Sequence, residues 1–206
     1  MMYSHIVFDA DGTLIDSENA YLVSLRDAIF DLNKKDMALE DLRFSFGLTN
    51  KDVWNRLGVE YIEQADALWQ KYYFKYSGSV RIFDGIREML RDLAGLPRVL
   101  GLVTSKPKIE YVNDVVPHGV SDFFDYIILA EDTQEHKPHP GPMLKFLECS
   151  EADPKTTLYV GDTLSDMLCA KGAGVDFALA LWGGSRQSTI VADYYLKHPR
   201  KVVRLA

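Results

Sequence analysis

The amino-acid sequence predicts an α/β fold with a parallel sheet and one inserted helical region. Over most of the chain, short apolar runs alternate with stretches of helical period, and the runs are bounded by charged residues, glycine or proline. Strands that alternate with helices form βαβ units, so we expect a parallel sheet covered on both faces. One long region lacks such runs and has only the helical pattern.

The predicted strands are five short apolar runs: His5–Phe8, Val99–Val103, Tyr126–Leu129, Leu158–Val160 and Ala178–Leu181. Helices between the later strands are indicated by apolar residues that recur on one helix face. The first set is Ile86, Met89, Leu90 and Leu93, and the second is Met143, Leu144 and Leu147. These runs and helices together form the predicted core.

Residues 16–81 are predicted to be a helical insertion placed directly after the first strand. Apolar residues recur there with helical period in two sets: Leu22, Leu25, Ile29 and Leu32, then Ala65, Leu68, Trp69 and Tyr72. We therefore divide the chain into a core, residues 1–15 and 82–206, and an inserted α-helical domain, residues 16–81. The segments at its two ends, Asp16–Glu18 and Ser77–Ser79, are expected to act as hinges.

Composition excludes several classes of protein. The 206 residues carry a formal net charge of -7, which is opposite to the basic footprint of nucleic-acid binders and of proteins that bind anionic membranes. The aromatic residues near Trp69 are therefore assigned to packing rather than to base stacking. The N-terminus lacks the pattern of a signal peptide, and Cys149 and Cys169 fit no metal or redox motif. We expect a cytoplasmic protein with free thiols, as a monomer or weak homodimer.

Four polar segments follow the predicted strands. They are Asp9–Thr13, Thr104–Lys106, Lys137–Pro138 and Gly161–Asp166. Each alone has an ordinary explanation as a turn, a helix cap or a surface lysine. Together they lie at the carboxyl ends of strands in one sheet, where open α/β sheets bind ligands.

The residue types in these segments suit the transfer of a phosphoryl group. A carboxylate such as Asp9 can attack phosphorus. It also repels a phosphate dianion, by about 4 kcal/mol for each pair of unit charges at roughly 4 Å and an effective dielectric constant of about 20. Asp9 and Asp162 offer the hard oxygen ligands that Mg²⁺ prefers, and Lys137 adds a second positive charge. The Thr104 hydroxyl can donate to the phosphoryl oxygens.

Asp11 is the predicted general acid and base. It lies two residues from Asp9, so it can protonate the leaving alcohol and then deprotonate the water that cleaves the aspartyl-phosphate. Ala10, Ser105 and Lys106 flank these groups and are added as candidate substrate-binding residues.

The four segments resemble the four ordered motifs of the haloacid dehalogenase superfamily. Asp9–Leu14 resembles the first motif, and Val103–Lys106 the second. Lys137–Pro140 and Val160–Asp166 are similar to the third and fourth. Phe83–Gly85, Leu181–Gly183 and Ala192–Tyr194 are similar to segments of its phosphoglycolate-phosphatase-like members.

This resemblance implies a Rossmann-like, doubly wound parallel sheet with a small inserted α-helical cap domain. It also implies that Mg²⁺ is bound by the Asp9 side chain, the Asp11 backbone carbonyl and Asp162. Asp166 would then orient the metal site, directly or through water. The expected activity is that of a magnesium-dependent phosphatase acting on a small phosphorylated metabolite.

Three alternatives remain open at the level of sequence. Dehalogenase members lack the second aspartate of the first motif, whereas β-phosphoglucomutase-like mutases keep both, so a phosphosugar mutase is the nearest rival. A receiver-like signalling protein also combines aspartates, a hydroxyl, a lysine and Mg²⁺, but its phosphoacceptor follows a later strand than its acidic pair. A catalytically silent, ligand-binding relative would not need the full set of Asp9, Asp11, Thr104, Lys137 and Asp162.

Substrate selectivity is predicted to come from the inserted domain. Gly47, Thr49, Asn50 and Lys51 combine a glycine, small polar donors and a cation between helical segments, a composition suited to ligand contact. The alternative is that Thr49 and Asn50 cap the helix that begins near Lys51.

Overall fold

The structure, a computed structural model, describes residues 3–46, 48, 50–184 and 189–206. The chain forms two compact units. One comprises Met1–Asp16 and Arg81–Ala206, and the other comprises Ser17–Val80. We call them the core unit and the helical unit. No helix among the described residues is long and apolar enough to cross a membrane.

The core unit contains a six-stranded sheet in which every pair of neighbours is parallel. Its strands, in spatial order, are β5 (Tyr126–Ile128), β4 (Val99–Val103), β1 (His5–Phe8), β6 (Thr157–Gly161), β7 (Asp176–Ala180) and β8 (Tyr194–Leu196). The chain leaves β1 toward β5, crosses back and continues to β8. The predicted α/β fold with a doubly wound parallel sheet is therefore confirmed.

Strand β1 lies at the point where the direction of winding changes. Phe8 is in register with Leu102 of β4 on one side and with Val160 of β6 on the other. The residues that follow these three strands therefore leave the sheet at the same edge and at the same height. In doubly wound sheets this switch point is the usual position of a ligand site.

Among the described residues, the α-helices of the core unit are α5 (Ile86–Ala94), α6 (Lys108–Asp114), α7 (Gly141–Ser150) and α8 (Leu164–Gly172). The predicted apolar face of α5 is fully buried. On α7, Met143 and Leu147 are buried as predicted, but the inclusion of Leu144 was wrong because its exposure is 48%. Adjacent residues on a helix point about 100° apart, so Leu144 cannot share the face of Met143.

The helical unit consists of α1 (Glu18–Asn33), α2 (Leu39–Leu42), α3 (Asn50–Arg56) and α4 (Ile62–Tyr76). Leu22, Leu25 and Ile29 of α1 are buried, whereas the assignment of Leu32 to this face was wrong because it is 38% exposed. Trp69 of α4 is buried and its indole nitrogen donates to the Ser24 hydroxyl at 2.9 Å. This aromatic residue therefore serves packing, as predicted.

Three predicted strands have different bounds in the structure. Strand β5 ends at Ile128, one residue before the predicted end at Leu129. Strand β6 is one residue longer at each end than the predicted Leu158–Val160, and strand β7 spans Asp176–Ala180 where Ala178–Leu181 was predicted. The edge strand β8 was missed because it is short and Tyr195 within it is 55% exposed. A two-residue antiparallel pair, β2 (Ile15–Asp16) and β3 (Arg81–Ile82), was also missed.

Candidate active site

The turn after β1 brings the first aspartates to the sheet edge. The Ala10 carbonyl accepts hydrogen bonds from the backbone N–H groups of Leu14 (2.8 Å) and Ile15 (3.0 Å), which closes the turn. Gly12 within it has a φ of +75°, and a Cβ atom there would lie 2.3 Å from Oδ2 of Asp162. A glycine at this position therefore allows the turn to lie against the carboxylate that follows β6.

The Lys137 ammonium lies at the centre of the site. Its Nζ is 2.6 Å from Oδ1 of Asp9, 2.7 Å from Oδ1 of Asp166 and 3.0 Å from the Tyr159 hydroxyl. All four side chains are buried. Lysine is rarely buried without charged partners, and here Asp9 and Asp166, from two segments of the core unit, supply them.

Asp166 is fixed by the N-terminus of α8. Its Oδ2 accepts from the backbone N–H of Thr163 at 2.9 Å and from the Thr163 hydroxyl at 2.6 Å, while the Thr163 hydroxyl accepts from the Asp166 N–H. This reciprocal arrangement is a capping box. One oxygen of Asp166 therefore belongs to the helix cap and the other to Lys137.

Three carboxylates in this region could hold a metal ion. Asp9, Asp162 and Asp166 each present an oxygen, and these oxygens lie within 4.8 Å of one another. The Thr13 hydroxyl donates to Oδ1 of Asp162 at 3.3 Å and so helps to orient it. Hard oxygen donors with an excess of negative charge fit a cation such as Mg²⁺.

Thr104 and Lys106 follow β4, as predicted, and both are buried. The Thr104 hydroxyl oxygen accepts the backbone N–H of Lys106 at 3.1 Å. The Lys106 ammonium lies against three carboxylates, at 2.6 Å from Asp114, 3.1 Å from Asp11 and 3.6 Å from Glu110. Thr104 thus lies beside the β1 turn, while Lys106 forms a second cluster around Asp11.

A comparison with known protein families decides the membership of the chain. The profile described as haloacid dehalogenase-like hydrolase matches residues 6–180, which include every residue of the site named in this subsection so far. The protein belongs to this family. It is therefore a hydrolase.

Relatives of this hydrolase cover nearly its whole length. It is 29% identical to the phosphoglycolate phosphatase of Aquifex aeolicus over 97% of this chain and 95% of that protein. It is 26% identical to the pyrophosphatase PpaX of Anoxybacillus flavithermus, over 96% of this chain and 94% of that protein. A solved Lactobacillus plantarum structure, proposed to be a phosphoglycolate phosphatase, has a TM-score of 0.92 at 26% identity, with full coverage of both chains.

The candidate active site of the hydrolase has an excess of negative charge, because three carboxylates lie near the single ammonium of Lys137. Burial and the neighbouring Asp166 raise the pKa of Asp9 to about 7, against the opposing effect of Lys137. Burial and Asp166 also raise the pKa of Asp162 well above its usual range. Burial opposes ionisation of Asp166 as well, but Lys137 and the bonds from Thr163 outweigh it, so the pKa of Asp166 is lowered. A divalent cation would balance the charge.

The remaining predicted residues occupy different surroundings. Ala10 is buried within the β1 turn, and Ser105 is exposed after β4. Asn50 and Lys51 lie in the first turn of α3 in the helical unit, and both are exposed. Gly47 and Thr49 fall outside the described residues. The core motifs are thus brought together at one sheet edge, whereas Asn50 and Lys51, which the sequence predicts to select the substrate, belong to the helical unit.

Three residues that contact the lysines of the candidate site were missed from the sequence. Tyr159 was treated as one residue of a buried strand, yet its hydroxyl donates to the Val103 carbonyl at 2.9 Å and contacts Lys137. Glu110 and Asp114 carry no motif, although they are four residues apart and so lie on one face of α6, and Glu110 is four residues after Lys106. That spacing was the signal that could have identified them.

The loop after β7 supports the β1 turn. The indole nitrogen of Trp182 donates to the Thr13 carbonyl at 2.8 Å. A Cβ atom on Gly183 would lie 2.2 Å from the Gly12 carbonyl oxygen, so this close approach requires glycine. The resemblance of Leu181–Gly183 to family members therefore has a structural counterpart: this loop holds the turn that carries Asp9 and Asp11.

Proposed function

We propose that this hydrolase is a magnesium-dependent phosphatase that cleaves a small phosphate monoester through an aspartyl-phosphate on Asp9. The observation that carries the proposal is the Asp9 carboxylate, held at 2.6 Å by the buried Lys137 ammonium and grouped with Asp162 and Asp166. A fixed carboxylate beside a cation and a metal-binding set is the arrangement that covalent phosphoryl transfer requires.

The first half-reaction forms the covalent intermediate. A carboxylate oxygen of Asp9 attacks phosphorus, the bond from phosphorus to the ester oxygen breaks, and Asp11 transfers a proton to that oxygen to release the alcohol. Lys137 keeps Asp9 oriented and offsets part of the negative charge. The Thr104 hydroxyl, positioned directly after β4, is the proposed donor to a phosphoryl oxygen.

The second half-reaction restores the enzyme. A water molecule attacks phosphorus, the ionised Asp11 accepts a proton from that water, and the bond between phosphorus and the Asp9 oxygen breaks to release inorganic phosphate. Asp9, Asp162 and the backbone carbonyl of Asp11 would hold Mg²⁺, with Asp166 orienting the set through its contacts with Thr163 and Lys137. When bound, Mg²⁺ supplies positive charge that draws the phosphate to the carboxylates.

The class of substrate is supported by the relatives. One is a phosphoglycolate phosphatase and another a pyrophosphatase, so we propose a small, strongly anionic phosphate compound as the substrate. A β-phosphoglucomutase-like phosphosugar mutase is the second candidate because it would use the same two aspartates. A mutase would convert one sugar phosphate into another without net release of phosphate.

The test is a panel of phosphorylated compounds assayed for phosphate release with Mg²⁺ or with a chelator. The panel contains an aryl phosphate, phosphoglycolate, pyrophosphate and hexose phosphates. We expect magnesium-dependent release that is abolished in Asp9→Asn and retained in Asp92→Asn, which makes the same change at an exposed position of α5. Activity of Asp9→Asn within roughly tenfold of the wild type would contradict covalent catalysis.

A further inference from the structure

Lys106 has surroundings that differ from those of a typical phosphate-binding lysine. It is 5% exposed, and its Nζ lies 2.6 Å from Asp114, 3.1 Å from Asp11 and 3.6 Å from Glu110. One ammonium neutralises one carboxylate, so the cluster carries excess negative charge when all three are ionised. An approaching phosphate dianion would meet that excess rather than an available cation.

The backbone of Lys106 is fixed on both sides. Its N–H donates to the Thr104 hydroxyl oxygen at 3.1 Å, and its carbonyl accepts from the Ala130 N–H at 3.1 Å. Helix α6 then presents Glu110 and Asp114, one turn apart, to the ammonium. Asp114 is 1% exposed, so it is a fixed anchor for the lysine side chain.

Asp11 is the exposed member of this cluster. Its side chain retains 40% of its accessible surface, whereas that of Lys106 retains 4%. A general acid is most effective when it is held in one orientation, because proton transfer needs hydrogen-bond contact with the leaving oxygen. A cation held by the fold can restrict the carboxylate to one orientation.

We propose that Lys106 is a positioning residue for Asp11, anchored by Asp114, and does not bind the substrate. This inference rests on the proposed function, since it assigns Asp11 to acid–base catalysis. It reverses the substrate-binding role that the sequence suggested for Lys106. The positioning of Asp11 should matter most where the leaving oxygen needs a proton most, that is, for alkyl rather than aryl phosphates.

The test uses a charge-balanced variant because removal of Lys106 alone takes away the ion pair with the buried Asp114 carboxylate and can prevent folding. Lys106→Met combined with Asp114→Asn removes one positive and one negative charge. Lys145→Met combined with Glu148→Gln is the matched control, since it removes a pair of similar length, 2.9 Å, on α7. Both double variants are assayed with an alkyl and an aryl phosphate in Mg²⁺.

The expected result for the Lys106 variant is a fall in kcat of about ten- to a hundredfold for the alkyl phosphate, part of the full contribution of a general acid. The fall should be several times smaller for the aryl phosphate. KM and the affinity for inorganic phosphate, measured by calorimetry, should not change. In an Asp11→Asn background the same substitutions should cost almost nothing further, because both act on one step.

Three results would overturn the inference: equal losses for both esters, a weakened affinity for inorganic phosphate, or losses that multiply with that of Asp11→Asn. Any of them would return Lys106 to a substrate-binding or structural role. None would affect the proposed phosphatase activity, which depends on Mg²⁺ and on Asp9. Loss of magnesium-dependent turnover in the wild type would be a failure of the proposed function instead.

Discussion

Two buried lysines follow neighbouring strands of the sheet, and each joins an aspartate of the β1 turn to an acid on a helix. Lys137 links Asp9 to Asp166 of α8, and Lys106 links Asp11 to Asp114 of α6. The two aspartates differ in exposure, since the Asp9 side chain retains 7% of its accessible surface whereas the Asp11 side chain retains 40%.

The difference matches the two chemical tasks that we propose. A nucleophile attacks one atom in one direction, so burial between a lysine and a metal-binding set is an advantage. A general acid and base must reach a leaving group and later a water molecule, so it needs access to the solvent side. We therefore propose that Lys137 balances the charge of Asp9 and that Lys106 fixes the orientation of Asp11.

Lys137→Met should disrupt the cluster of Lys137, Asp9 and Asp166 and have the largest effect. It leaves Asp9 and Asp166 without their cation, which typically destabilises a protein by about 3–5 kcal/mol. We expect turnover to fall by about a hundred- to a thousandfold or more, as with the removal of other electrostatic groups from active sites. Thermal unfolding and kcat would be measured alongside Lys145→Met. A stable, active variant would show that Asp9 does not depend on Lys137.

Asp11→Asn should leave the cluster around Lys137 intact and remove acid–base catalysis. We expect a loss of about a hundred- to ten-thousandfold in kcat for an alkyl phosphate, because the amide cannot transfer the proton. The loss should shrink for an aryl phosphate, whose leaving group needs less help. Similar losses for both esters would remove the acid assignment and with it the distinction between the two clusters.

Tyr159→Phe should weaken the Lys137 cluster without changing its charge. The hydroxyl donates to the Val103 carbonyl and lies 3.0 Å from Lys137, so its loss leaves a buried carbonyl with one partner fewer. We expect a destabilisation of about 1–3 kcal/mol and a smaller loss of kcat than for Lys137→Met. Tyr61→Phe, at a position that is 69% exposed, is the control. Unchanged stability would mean that the hydroxyl is not needed to hold Lys137.

The smallest effect is expected in the helical unit. Lys51 is exposed in the first turn of α3, and the sequence predicts that it helps to select the leaving group. Lys51→Ala and Asn50→Ala should then alter kcat/KM for the preferred substrate several-fold and leave that for an aryl phosphate unchanged. Parallel changes for every substrate, together with a lower Tm, would leave these residues only a role in helix α3.

The sheet could be predicted because strands such as β1 and β4 are continuous apolar runs, and their bounds agree with the structure. Strand β8 could not, because an edge strand with an exposed residue gives no such run. The motif residues were predicted because the parallel sheet brings the ends of β1, β4 and β6 together. What the sequence did not reveal was which carboxylate each lysine binds.

The pairings depend on side-chain directions that strand and helix periodicity leave open. The sequence predicts that Lys106 binds the substrate, and in the structure its ammonium contacts Glu110 and Asp114, which occur at successive turns of α6. The role of Tyr159 depends on one hydroxyl in an apolar strand. Such contacts depend on how the side chains pack in three dimensions, so a list of motif residues from the sequence does not contain them.

The central claim is that Asp9 becomes phosphorylated, and mass spectrometry of an acid-quenched reaction tests it most directly. Asp11→Asn is mixed with an aryl phosphate and Mg²⁺, since the good leaving group allows the first step while the second lacks its base. We predict a peptide carrying one phosphoryl group on Asp9, and no such peptide in Asp9→Asn. Consumption of the substrate without phosphorylation of Asp9, or with the group on another residue, would contradict the account.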